Sequence, residues 1–142
     1  MGVAMAVMSK ARGALRPNPA EFLMRAESQL VLANEAYDQG DLPRAVVYAY
    51  RAGLRAAGAV IDAERPARRR LPAGSAWLRL RAVRPDLGGW ADSFEQHARL
   101  AERADIGLER DVADSAFQEV YSDSVELLER VRMELGLGLQ AA

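Results

Sequence analysis

The stretch from Leu42 to Glu64 constrains this chain most, because its apolar residues run around nearly the whole circumference of a helix. Leu42, Val46, Ala49, Gly53, Ala57 and Val60 fall on one side, and Val47, Tyr50, Leu54 and Ile61 on another. The charged residues Arg44, Arg51, Arg55 and Asp62 share one narrow stripe. A helix apolar almost all round belongs in the middle of a bundle. Its many alanines and glycines let neighbouring helices come close.

The flanking sequence supplies those neighbours. Asn18 can cap a first helix, with Pro19 in its first position and Glu21 three residues beyond the cap. Phe22, Ala26, Leu30, Ala33 and Tyr37 then mark one helical face, which stops at Gly40, and Asp41 caps the central helix. The run Arg65-Pro66-Ala67-Arg68-Arg69-Arg70-Leu71-Pro72-Ala73-Gly74 breaks the pattern with two prolines and a glycine and reads as a loop. Ser75 caps a short helix carrying Trp77, Leu78 and Leu80, ended by Arg84-Pro85. Asp86 opens another, with a stripe of Leu87, Trp90, Phe94, Ala98 and Ala101. Asp111 and Asp114 flank the start of a last helix whose face is Ala113, Ala116, Phe117, Val120, Leu127, Leu128, Val131 and Leu135. No stretch alternates with a period of two. The expected fold is all-α, an antiparallel bundle of four to five helices with short connections.

Length and charge narrow the rest. A chain of 142 residues makes one domain with a real core. The boundaries expected are a flexible N-terminal tail over 1–17, the bundle over 18–135 and a frayed C-terminal tail over 136–142. The net charge of -1 argues against a general nucleic-acid coat or a polycationic membrane binder. The absence of cysteine removes disulfides and thiolate chemistry and fits a reducing cytoplasm. The apolar run Gly2-Val3-Ala4-Met5-Ala6-Val7-Met8 has its positive charges after it, the reverse of a signal peptide, and is far below the roughly 20 residues of a membrane span. A cytoplasmic protein without membrane association is expected.

The hairpin Ala33-Asn34-Glu35-Ala36-Tyr37-Asp38-Gln39-Gly40-Asp41-Leu42-Pro43-Arg44-Ala45, continuing to Tyr48 and Ala52, resembles one tetratricopeptide repeat, which would make the chain a protein-binding adaptor. Such arrays need about three copies at a period of roughly 34 residues, and no second copy follows near residue 70. The same hairpin resembles the opening of a HEPN domain, a superfamily of helical bundles. The Arg-rich loop, Ser75-Ala76-Trp77-Leu78, Val83-Arg84-Pro85-Asp86-Leu87 and Trp90-Ala91 extend the likeness to an actinobacterial HEPN family of unassigned activity.

That resemblance implies a homodimer, working beside a nucleotidyltransferase or a nucleic-acid-processing system. Many HEPN proteins are metal-independent ribonucleases, whose motif is an Arg, a polar residue and, about four to six residues on, a His that moves the proton while the Arg holds the phosphate. Arg110-Asp111 resembles the first half. The positions open to the His hold Ser115, Ala116 and Phe117, none of which can transfer that proton. The chain is therefore expected to be no enzyme but a binding or interaction module. The alternative is a degenerate or unusual HEPN ribonuclease or nucleotide-binding enzyme.

Arginine is the chemistry-bearing residue that remains. Of the 19 basic residues only Lys10 is a lysine. Arg65, Arg68, Arg69, Arg70, Arg79, Arg81 and Arg84, together with Arg110, are the candidate contacts to phosphates of a nucleotide or nucleic acid, since guanidinium grips phosphate through two hydrogen bonds. Glu109, Asp111, Asp114, Glu119, Asp123, Glu126, Glu129 and Glu134 read as the solvated face of the last helix, or as a surface for the basic loop of a second copy. The sole histidine, His97, falls one position off the Phe94/Ala98 stripe and reads as a boundary or solvent-facing side chain. Asp92 and Glu95 do not share a face with it, so no metal site and no cofactor are expected.

Overall fold

A computed structural model of the chain describes residues 18–64 and 71–136. The expected tail over 1–17, nearly all of the tail over 136–142, and Arg65, Arg68, Arg69 and Arg70 lie outside the described residues. Within them the order is α1 (Pro19–Asp38), α2 (Leu42–Glu64), α3 (Ala76–Val83), a 3-10 turn (Pro85–Leu87), α4 (Gly88–Asp105) and α5 (Asp114–Glu134). Among the described residues there is no strand, as the lack of period-two alternation predicts.

The ends of these helices follow from local chemistry. Asn18 Oδ1 accepts from the Glu21 amide at 2.9 Å, Asp41 Oδ1 from Arg44 at 3.2 Å and Ser75 Oγ from Leu78 at 3.2 Å. Each satisfies an amide that the first turn of a helix leaves without a carbonyl. Between α1 and α2 the chain reverses at Gly40, whose φ of +76° is open to glycine at little cost. One boundary differs from the sequence expectation. Asp86 sits in the 3-10 turn and α4 begins two residues later at Gly88, because Pro85 allows a tight turn before the α-helical ladder can start.

Helix α2 is the hub, packing against α1, α3, α4 and α5. Ten of its 23 residues are buried, among them Ala45, Val46, Ala49, Ala52, Ala56, Ala57 and Ala59, so the apolar circumference is used on several sides at once. Two core clusters are strung along it. The first joins Leu23, Ala57, Val60, Trp77, Leu80, Phe94, Leu127 and Val131, and the second Ala33, Val46, Ala49, Ala104, Val112, Phe117 and Val120. Trp77 stacks on Phe94 with ring centroids 4.7 Å apart, and its indole N–H donates to the Tyr50 hydroxyl at 3.0 Å. Ser124 is buried because its hydroxyl donates to the Ala49 carbonyl at 2.7 Å, which satisfies the polar atom it brings into the core.

Gly53 is the point of closest approach. A Cβ built there would lie 2.6 Å from Phe94 Cζ and 2.9 Å from Ser124 Oγ, inside van der Waals contact on two neighbouring helices at once. Nothing stands within 4 Å of a Cβ added at Gly89. Gly53→Ala should therefore destabilise by about 1–3 kcal/mol through overpacking. Gly89→Ala, exposed in the first turn of α4, should be neutral or stabilise by up to about 1 kcal/mol. Urea unfolding of the two variants beside the wild type measures both.

Candidate functional site

The candidate arginines do not gather in one place. Arg84, at the end of α3, hydrogen-bonds Asp86 at 2.7 Å and Glu134 at 3.0 Å, and its guanidinium also lies 3.9 Å from Glu64. Glu134 is the last residue of α5, whereas Arg110 precedes the first, Asp114. The helix between them rises about 1.5 Å per residue over 21 residues, so Arg84 and Arg110 lie at opposite ends of the bundle, about 30 Å apart. A single cleft gathering the arginines of α3 with Arg110 does not form within one chain.

Nor are the arginines equally available. Arg81 is gripped by Glu95 and Asp92 of α4, and Arg84 by Asp86, Glu134 and Glu64, so both guanidiniums are answered by carboxylates of their own chain. Arg79 is exposed, and its Nε donates to the Pro72 carbonyl at 3.2 Å. Arg110 is exposed, and among the described residues it takes part in no ion pair or side-chain hydrogen bond. It lies in the α4–α5 connection beside Ile106 and Leu108, which are 64% and 71% exposed.

The acidic face assigned to α5 is also partly occupied. Glu134 answers Arg84, Glu109 of the preceding loop lies 3.2 Å from Arg103, and Asp114 accepts from the Tyr37 hydroxyl. That acceptor, followed by burial, raises the Tyr37 pKa.

At the Arg110 end, a groove between α2 and α4 has a further basic rim that the sequence reading passed over. Val47, Arg51 and Asp105 line two adjoining concavities, one completed by Pro43, Arg44, Tyr48 and Ala104 and the other by Tyr50, Leu54, Ala98, Ala101 and Glu102. The Tyr48 ring has the Arg44 guanidinium 5.6 Å and the Arg51 guanidinium 5.9 Å from its centroid. Arg44 also donates to the Tyr48 hydroxyl at 3.0 Å. The 44/48/51 spacing places all three on one side of α2, and Arg44 and Arg51 were visible in the sequence as part of the charge stripe with Arg55 and Asp62. Only the neighbouring helix shows that the stripe borders a groove.

His97 corrects an expectation outright. It is 7% exposed, not solvent-facing, and its ring meets Phe94 edge-on at 5.2 Å. The buried face of α4 is Ala91, Phe94, His97, Ala101 and Ala104, rotated from the stripe through Trp90 and Ala98, so that His97 falls on the inner side. Asp92 and Glu95 indeed turn away, to Arg81. Carboxylates from α5 take their place: Asp123 Oδ2 lies 2.7 Å from His97 Nε2, with Glu119 close by.

The comparisons with known proteins agree with this architecture. The family model described as SAV_6107-like HEPN matches residues 36–132, and the chain belongs to that HEPN family. No curated protein and no solved structure matches it. No helix among the described residues is long and apolar enough to cross a membrane.

The Arg84 cluster has a measurable signature. The Arg84 guanidinium holds the carboxyls of Asp86 and Glu134 below their ordinary range, chiefly by hydrogen bonding. A carboxyl depressed in the folded state adds stability above its unfolded pKa of about 4, and that stability drains away as pH falls through the lower, folded value. Arg84→Ala should therefore lower the melting temperature at pH 7, and the gap to wild type should shrink steadily below about pH 4. Thermal melts from about pH 7 to about pH 2.5 follow the two curves.

Proposed function

We propose that this HEPN bundle is a binding module rather than a ribonuclease, and that it receives a phosphate-bearing ligand, a nucleotide or single-stranded RNA, at the end carrying Arg44, Arg51 and Arg110. The observation that carries the proposal is that none of the three positions open to the motif's histidine after Arg110 holds a side chain able to take its place. Ser115 is exposed and a poor base, Ala116 has no titratable atom, and Phe117 is buried against Tyr37 with centroids 4.8 Å apart. The sole imidazole is held by Asp123, nine residues into α5 and so about 14 Å along it from Asp114. An acid–base pair acting on one phosphate needs both groups within hydrogen-bond reach of it.

Binding asks less of the same residues. Guanidinium offers a fixed fork of donors to phosphate oxygens, and an aromatic ring flanked by arginines suits a base beside its phosphate. Arg44 and Arg110 bring guanidiniums not committed to carboxylate hydrogen bonds, and Arg51 has only a long 3.9 Å approach to Asp105. Arg79 belongs with Arg84 to the opposite end, and only a second copy in a homodimer could bring it to the same ligand. The apolar face expected of a tetratricopeptide adaptor finds less support, since α2 is enclosed on several sides.

Fluorescently labelled single-stranded RNA tests both halves. Wild type and Arg110→Ala should leave the RNA intact on a gel. In anisotropy titrations, Arg44→Ala with Arg110→Ala should weaken binding. The slope of log K against log salt should fall by about 1 for each phosphate that the variant no longer neutralises. Cleavage by the wild type that Arg110→Ala abolishes would establish the ribonuclease instead. Equal binding by the double variant would remove the ligand from this end.

A further inference from the structure

Helices α4 and α5 both lean on α2 and touch each other little. Among the described residues a single side-chain hydrogen bond joins them, His97 Nε2 to Asp123 Oδ2. His97 is buried, while Asp123 keeps 27% of its side chain exposed, so the pair lines the seam between the helices with its carboxylate toward solvent. Glu119, one turn before Asp123 on the same face of α5, is exposed and completes the group. One ligand atom from each of His97, Glu119 and Asp123 lies within 4.8 Å of the other two.

The charge of this trio sets it apart from the other acidic groups that come together in the bundle. Asp92 and Glu95 are answered by Arg81, Asp86 and Glu134 by Arg84, and Glu109 by Arg103. Among the described residues no arginine pairs with Glu119 or Asp123. Two carboxylates facing one imidazole leave a net negative charge whether the ring is protonated or not, at the mouth of a seam whose floor is buried.

We propose that His97, Glu119 and Asp123 form a binding site for a divalent transition-metal cation, with Zn2+ the best match, which clamps α4 to α5. The donor set decides the class. An imidazole nitrogen with two carboxylate oxygens suits zinc and its neighbours, whereas magnesium and calcium prefer oxygen alone. Three protein ligands leave a fourth tetrahedral position to water. Bonds of about 2.0–2.1 Å place tetrahedral donors about 3.4 Å apart. The His97–Asp123 contact would then open by about 0.7 Å, and the widest separation would close by at most about 1.4 Å. Glu119, exposed and without a partner of its own beyond the trio, can supply that movement by a change of rotamer.

The experiment uses the full chain freed of metal by chelation and dialysis, titrated with ZnCl2 in a calorimeter and melted with and without the metal. One equivalent of Zn2+ should bind saturably and raise the melting temperature by several degrees, as ligand binding to the folded state alone requires. MgCl2 at the same concentration should do neither. Glu119→Gln keeps the shape of an exposed side chain and should weaken Zn2+ at least about tenfold, and Asp123→Asn should do the same or more. His97→Asn should abolish binding; should that variant fail to fold, the two carboxylate variants decide. No saturable binding at one equivalent, or Zn2+ affinity within twofold of wild type in both carboxylate variants, would overturn the proposal. A magnesium response equal to that of zinc would do so too, since it removes the imidazole's role.

Discussion

Close contact with a helix whose buried positions are alanine, glycine and valine alone is the constraint on which the bundle depends. α2 presents alanine and glycine on several sides, and its neighbours fill the space with their own large residues. Phe94 reaches from α4 across the bare backbone of Gly53, Trp77 stacks on Phe94, and the Trp77 indole is held by Tyr50 of α2 itself. Ser124 of α5 approaches the same point closely enough to bond an α2 carbonyl. Three helices thus converge where one residue contributes no side chain. Dispersion grows with the number of close contacts, so this is where the core gains most from tight packing.

Charge arranges the periphery that packing leaves. At one end, Arg84 gathers carboxylates from α2, the 3-10 turn and α5, joining segments distant in sequence. Arg81 does the same between α3 and α4. Exposed pairs of this sort contribute little each, yet they decide which guanidiniums remain for a ligand. The other end keeps Arg44 and Arg110 uncommitted, and there the groove between α2 and α4 opens. An arginine-rich sequence thus divides into a structural set and an available set, by position along the bundle rather than by residue type.

Much of the fold was legible in the sequence because it is encoded locally. Asn18, Asp41 and Ser75 cap the helices they were expected to cap, Gly40 makes the expected turn, and the all-round apolar character of 42–64 placed it at the centre. These are short-range effects, readable from neighbours in the chain. The site was less legible because its geometry is a property of helix pairs. A one-position error in the stripe of α4 turned His97 outward, and its partners Glu119 and Asp123 stand on another helix, the latter 26 residues away. The capture of Arg84 by Glu134, across 50 residues, likewise leaves no local trace. The missing histidine after Arg110 was visible at once, since a motif is a local pattern.

The two tight glycines of α2 set helix propensity against packing. Gly53 lies against Phe94 and Gly58 against Phe22, positions five apart and so turned to different sides of the helix. Each glycine lowers the intrinsic helix-forming tendency of the segment by about 1 kcal/mol relative to alanine. The seven alanines of the segment pull the other way, so the hub keeps a helical tendency of its own while offering its neighbours small side chains. The two glycines are the places where that tendency is given up for close approach. A side chain added at either glycine therefore sets a gain in helix propensity against a clash with an aromatic ring from another helix.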